Sequence, residues 1–293
     1  MRPTRVVVCT AAVGCGHTRA ALALREGILA QEPDAQIEFI ETLDHASGWF
    51  VRPYRDGYLA AVGKMPALAG WLYKRTDKVG GGAFGRTVER RGLRQFCSHP
   101  SLTGADLVVT THFLCARVLA GLRSAGSLRA PVAVCVTDVH PHAVWLSKGI
   151  DALLVAANSS RETALKAGLP SNRVHVTGIP IDRRFETSED QGLARFELGL
   201  PPQGERPVVL VAGGGLGLGG IEGVVSALMR RNRPVHVAVI CGRNATLRRA
   251  VEPLRASGRR RGLMRRRAPS KGSQHRCRDG WRRRICWWAS RAD

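Results

Sequence analysis

Short apolar runs rich in β-branched residues recur along this chain, and they limit its fold more than any other feature. They are "RVVVC" (Arg5 to Cys9), "QIEFIE" (Gln36 to Glu41), "DLVVTTH", "VAVCVTD", "DALLVAAN", "RVHVTG", "PVVLVAGGG" and "VHVAVICGRN". Most are apolar throughout instead of alternating, which is how strands covered on both faces read. Helix-like segments separate several of them. Strand and helix in alternation imply a doubly wound α/β sheet. Such sheets bind ligands beyond the carboxyl ends of their strands. The residues to watch are therefore Gly14 to His17, His112, Thr137-Asp138, Gly178-Ile179-Pro180 and Gly213 to Gly220.

The polar, proline-containing stretch Glu186 to Pro207 reads as a linker, after which the strand–helix–strand pattern restarts. Four regions are expected. They are an α/β domain over 1–185, a linker over 186–207, the start of a second α/β domain over 208–250, and a basic, disordered tail over 251–293. No apolar run reaches the roughly 18 residues of a membrane-spanning helix. The basic, briefly apolar N-terminus feeds a glycine-rich turn and a helix, so it reads as a first strand in a cytoplasmic protein. The eight cysteines are scattered without a CxxC, as expected of reduced thiols.

The formal charge of +22 implies a polyanionic partner, either nucleic acid or an anionic membrane surface. Residues 251–293 hold 14 Lys/Arg against 3 Asp/Glu, so half of the excess lies in the tail. No zinc-finger spacing, helix-turn-helix pattern or RNA-binding aromatic motif accompanies it, which disfavours a specific nucleic-acid binder. The segment Trp49 to Lys78 mixes aromatic and basic residues. It reads either as core plus solvated charge or as a membrane-facing element. In the second case Trp49, Phe50, Trp71 and Tyr73 enter the interface, and Arg52, Arg55, Lys74, Arg75 and Lys78 meet lipid phosphates.

"GCGH" places His17 in the first turn of a helix, where a bare phosphate cradle would need only backbone N–H groups. An imidazole adds a group that moves protons near neutral pH. "TDVHPHAVW" gathers Asp138, His140, His142 and Trp145 behind a strand. A metal site using both histidines with Asp138 has no second ligand group at a recognisable spacing. Proton transfer or acceptor binding is the better reading. "VLVAGGGLGLGG" contains Gly215-x-Gly217-x-x-Gly220 between strand and helix, but the next strand ends in "ICGRN" without the carboxylate of a nicotinamide site.

Taken together, "GCGHTRAALAL", the run from Thr137 to Phe185 ending in "VTGIPIDRRF", "LVAGGGLGLGG" and "VICGRNATL" resemble the monogalactosyldiacylglycerol synthase and processive diacylglycerol glycosyltransferase family, which is related to the peptidoglycan N-acetylglucosaminyltransferase. The resemblance covers about Arg5 to Leu247. It implies a GT-B fold of two Rossmann-like domains, the second incomplete here. It also implies metal-independent, inverting transfer of a hexose from a UDP-sugar to diacylglycerol or a similar lipid, with no cofactor. The enzyme would work as a peripheral protein on the inner face of the cell membrane. By resemblance His17 is the general base, and Asp138 and His142 position base or acceptor. Gly14, Gly16, His112 and Trp145 take the acceptor, and Gly213, Gly214, Gly215, Gly217, Gly242, Arg243 and Asn244 the donor.

The family's donor site continues into a glycine-phenylalanine turn and a Lys-Pro-Gly-Gly loop followed by a glutamate, and neither stands after Leu247. The tail reads as an out-of-frame translation. Tryptophan has a single codon, so the bases at Trp281, Trp287 and Trp288 are known. Read from the third base of each codon, with third bases otherwise free, Cys277 to Ala292 can spell Pro-Gly-Trp-Met-Ala-Ala-Ala-Asp-Leu-Leu-Val-Gly-Lys-Pro-Gly-Gly. Lys271 to Ser273 can spell Gly-Phe. The chain is therefore expected either to be a lipid glycosyltransferase by descent, inactive in this form, or a non-catalytic membrane-associated remnant that keeps the acceptor domain.

Overall fold

A computed structural model of the chain describes residues 3–57, 83–214, 220–230, 235–242, 244–253 and 285–289. Two compact units divide it, Met1–Thr187 and Ser188–Asp293.

In the first unit, β1 (Arg5–Thr10) feeds α1 (Cys15–Gln31), which returns to β2 (Gln36–Glu41). After α2 (Ala83–Gly92) come β3 (Leu107–Thr110), α3 (Phe113–Ser124), β4 (Val132–Cys135), β5 (Ala152–Val155), α4 (Asn158–Lys166) and β6 (Val174–Val176). The sheet order is β2-β1-β3-β4-β5-β6, and every pairing is parallel. Because side chains alternate across a strand, β1 feeds two cores. Val7 and Cys9 join Val108, Val132, Val134, Leu114 and Leu119 on the face covered by α3. Val6 and Val8 join Val109 and Ala21 under α1. This two-sided burial explains the uninterrupted apolar runs.

Two aspartates fix strand starts. Asp106, just before β3, accepts the N–H of Arg5 at the start of β1 (2.9 Å). Asp151, just before β5, accepts the N–H of Val132 at the start of β4 (2.9 Å) and is bridged by Arg123.

The aromatic–basic segment divides. Trp49 is 54% exposed, and Arg52 and Arg55 are exposed. Phe50, an interface residue in the membrane-facing reading, is buried as in the core reading and stacks on Tyr54. Trp71, Tyr73, Lys74, Arg75 and Lys78 lie outside the described residues.

The second unit contains α5 (Gln191–Leu198), β7 (Val208–Ala212), α6 (Ile221–Met229), β8 (His236–Ile240), α7 (Ala245–Val251) and β9 (Ile285–Ala289). The segment read as a linker thus holds a helix. Asp190 caps it, its carboxylate accepting the Leu193 N–H, and Leu193 and Phe196 stay exposed on it. β7 and β8 are parallel, and β9 runs antiparallel on the far side of β8. The expectation of a tail disordered throughout is corrected at these five residues. "ICWWA" is the one run of strand-favouring residues in the tail, and β8 offers it an edge. Val237 and Val239 pack with Ile221, Val225 and Leu247, while Leu210 on β7 is 62% exposed.

Candidate active site

The candidate site lies in the first unit, where β1, β3 and β4 end side by side. His17 stands in the first turn of α1. Its Nδ1 is 2.9 Å from the carbonyl oxygen of Thr111, just after β3, and 2.8 Å from Thr137 Oγ1, just after β4. The Thr111 hydroxyl completes the tie. It donates to the His17 carbonyl (2.9 Å), and its oxygen lies 3.1 Å from Thr10 Oγ1 at the end of β1, where the Thr10 hydroxyl can donate to it. Burial pushes the His17 imidazole below its usual range, and this outweighs the upward pull of the Thr111 carbonyl and Asp138. A ring so placed is neutral near pH 7.

His112 meets His17 edge to face at 4.5 Å between ring centres. Its own Nδ1 accepts the Leu114 N–H (3.1 Å), capping α3. Burial, then the neighbouring His17, holds it well below its ordinary value. His142 accepts the Val144 N–H at Nδ1 (3.2 Å) in the same manner, at the start of a turn of 3₁₀ helix. Trp145 closes that turn, 6.0 Å from the His17 ring, and its indole N–H donates to Asp138 Oδ2 (2.7 Å).

The structure therefore gathers His17, His112, Asp138, His142 and Trp145 from three separate stretches of sequence. It also changes the part that two of them can play. His112 is 1% exposed and Trp145 is fully buried, so both stand inside the wall of the site. Trp145 orients the Asp138 carboxylate. Gly14 is the N-cap of α1 and Gly16 lies in its first turn, and a Cβ on either would meet nothing within 4 Å. Thr111 and Thr137 were not singled out as ligands of His17.

Among the donor-side residues, Gly214 and Gly242 hold positive φ, +65° and +57°. Asn244 is occupied as a helix cap, its Oδ1 accepting the Leu247 N–H (2.9 Å). Gly213 follows β7, and Gly215, Gly217 and Arg243 lie outside the described residues. His140 is exposed and His142 is buried.

Comparison with known proteins settles the descent. The profile of the monogalactosyldiacylglycerol (MGDG) synthase family matches residues 17–181, more than half of the chain. The chain belongs to the MGDG synthase family. The matched span begins at the candidate base, His17, and contains Thr111, Thr137, Asp138, His142 and Trp145. Curated relatives include the processive diacylglycerol beta-glucosyltransferases of Staphylococcus aureus strains MRSA252 and Newman. Each is 22% identical over 261 residues, covering 84% of this chain and 62% of the relative. This member of the MGDG synthase family thus spans under two thirds of their length. Similar solved structures are Acinetobacter baumannii MurG (TM-score 0.47, 15% identity, 87% of this chain and 63% of that one) and the lipopolysaccharide outer core galactosyltransferase WaaB in its apo form (TM-score 0.44, 12% identity, 87% and 65%).

Proposed function

We propose that the first unit is the acceptor-activating part of an inverting lipid glycosyltransferase of GT-B type. The acceptor is a hydroxyl of diacylglycerol or a similar lipid, and the donor is a UDP-hexose. The acceptor oxygen attacks the anomeric carbon of the sugar. The new C–O bond forms as the bond to the UDP oxygen breaks, and that electron pair leaves with UDP. The acceptor proton passes to His17 Nε2. No metal or cofactor is needed for these steps.

One observation carries the assignment. A backbone carbonyl can only accept a hydrogen bond, so the Thr111 carbonyl against Nδ1 puts the proton of the neutral ring there. Nε2 keeps its lone pair, as a general base requires. Membrane association, on the inner face of the cell membrane, rests on exposed Trp49 beside exposed Arg52 and Arg55 and on the basic body. Each base near an anionic leaflet contributes about 1 kcal/mol. Among the described residues no helix is long and apolar enough to cross a membrane.

A second function, a membrane-associated remnant that holds the acceptor without transfer, is favoured by the second unit. There β7 leaves Leu210 62% exposed, although parallel strands are ordinarily covered on both faces. Incubation with UDP-glucose or UDP-galactose and diacylglycerol vesicles separates the two. Glycolipid formation lost in His17→Ala supports the transferase. Vesicle binding without glycolipid supports the remnant. Neither binding nor transfer contradicts both.

A further inference from the structure

Three histidines line the candidate site, and their hydrogen bonds assign them opposite tautomers. At His112 and His142 a backbone N–H points at Nδ1, from Leu114 and Val144 respectively. An N–H needs an acceptor, so Nδ1 is bare in both and the proton of each neutral ring sits on Nε2. At His17 the same atom faces oxygen from two directions, the Thr111 carbonyl at 2.9 Å and Thr137 Oγ1 at 2.8 Å.

The hydroxyl is the ambiguous partner. By itself it would donate to a bare Nδ1 or accept from a protonated one. The carbonyl removes that choice. A lone pair on Nδ1 would lie 2.9 Å from a lone pair of Thr111, a repulsion that protonation at Nδ1 turns into a hydrogen bond. Thr137 Oγ1 must then share the Nδ1–H as a second acceptor and turn its own proton away.

We propose that Thr137 is a positioning residue for His17: its hydroxyl oxygen, together with the Thr111 carbonyl, holds the imidazole in the Nδ1–H tautomer and aims the bare Nε2 at the acceptor. The aim at the acceptor rests on the proposed role of His17, while the tautomer does not. The two oxygens approach that one atom from the ends of adjacent strands, so the ring cannot turn about its Cβ–Cγ bond without losing both contacts. In this site the place often taken by a carboxylate behind a catalytic histidine is filled by two neutral oxygens. The carboxylate felt at this ring, that of Asp138, accepts from the Trp145 indole instead. When Nε2 takes up a proton, both oxygens stabilise the cation without neutralising it, and the proton is readily released again.

The sign of Thr137's effect is testable without turnover. In the full chain labelled with ¹⁵N, long-range ¹H–¹⁵N correlations of the imidazoles report which nitrogen carries the proton, and His17→Gln identifies the signals. The other ionisable groups felt at this ring are His112, at the start of α3, and Asp138, after β4. Both are retained in every variant. Neutral His17 is expected to show a protonated Nδ1 and a bare Nε2. Thr137→Val, equal in shape, removes an acceptor from the cation and should lower the His17 midpoint by about half to one pH unit, while the Thr111 carbonyl keeps the neutral ring protonated at Nδ1. Thr137→Ser should restore the wild-type pattern. A proton on Nε2 in the wild type overturns the proposal, whether or not any variant folds. So does a midpoint that rises or stays fixed in Thr137→Val. A correct tautomer combined with full glycosyl transfer by His17→Ala would leave the positioning intact and refute the base.

Discussion

The Nδ1 of His17 lies 2.9 Å from the carbonyl oxygen of Thr111, across 94 residues of sequence. The same threonine's hydroxyl donates to the carbonyl of His17, so the two residues are tied in both directions. The helix that carries the candidate base is thereby fixed to the end of the strand beside it.

That tie has a cost when broken. Thr111 is fully buried, and its hydroxyl serves both the His17 carbonyl and Thr10 Oγ1. Thr111→Val leaves these oxygens facing a methyl group and should destabilise the first unit by about 1–3 kcal/mol. Urea unfolding followed by fluorescence would measure it. Thr111→Ser, which keeps the hydroxyl, should recover most of the loss. An unchanged midpoint in Thr111→Val would show that the hydroxyl contributes nothing to the join.

Much of this arrangement could be read in the chain. The apolar runs predicted buried parallel strands, and the positions after strands pointed to His17, His112 and Asp138. Thr137 stood among those positions without its pairing to His17 being visible, and Thr111 was hidden because threonine after a strand looks like more strand. Their value as ligands arises only when β1, β3 and β4 become neighbours, which joins residues 94 and 120 positions apart. Trp145 misled in the opposite sense. An aromatic near a charged cluster reads as a binding surface, but the indole N–H found a carboxylate and the ring went inside. Strand β9 was missed because a tail rich in arginine triplets masks a five-residue apolar run.

Acid should loosen the fold. His17, His112 and His236 are all held below the ordinary histidine value, in each case chiefly by burial. The unfolded chain therefore binds protons at these sites before the folded one does. Their penalty is absent above the unfolded value of about 6.5 and grows as pH falls toward the lower folded values. The thermal midpoint should fall between pH 7 and pH 5, and His112→Asn should flatten that fall, since the asparagine side-chain oxygen can still cap Leu114. A midpoint that rises through this range would contradict the assignment.

The alternate reading frame makes a prediction about the second unit. Among the described residues β7 pairs with β8 alone. In the first unit, Asp106 and Asp151 each precede a strand and accept the first N–H of its neighbour. The alternate frame can spell the same pattern in Ala-Asp-Leu-Leu-Val. Restoring the frame should add this strand in parallel to β7, its aspartate accepting the Val208 N–H, and bring hydrogen-exchange protection to β7. The gene's nucleotide sequence is the first check. A stop before the Lys-Pro-Gly-Gly codons, or a continuation past Asp293 without a glutamate-bearing segment, would contradict the frame assignment.

The most direct test of His17 as acceptor-side base is transfer of labelled hexose from UDP-glucose and UDP-galactose onto diacylglycerol in anionic vesicles, using the frame-restored chain with and without His17→Ala. Sedimentation with the vesicles is followed in parallel. The predicted result is a loss of glycolipid formation of about 10²–10⁴-fold in His17→Ala, the range expected for a general base, with vesicle binding unchanged. Equal rates of transfer by the two proteins would contradict the assignment.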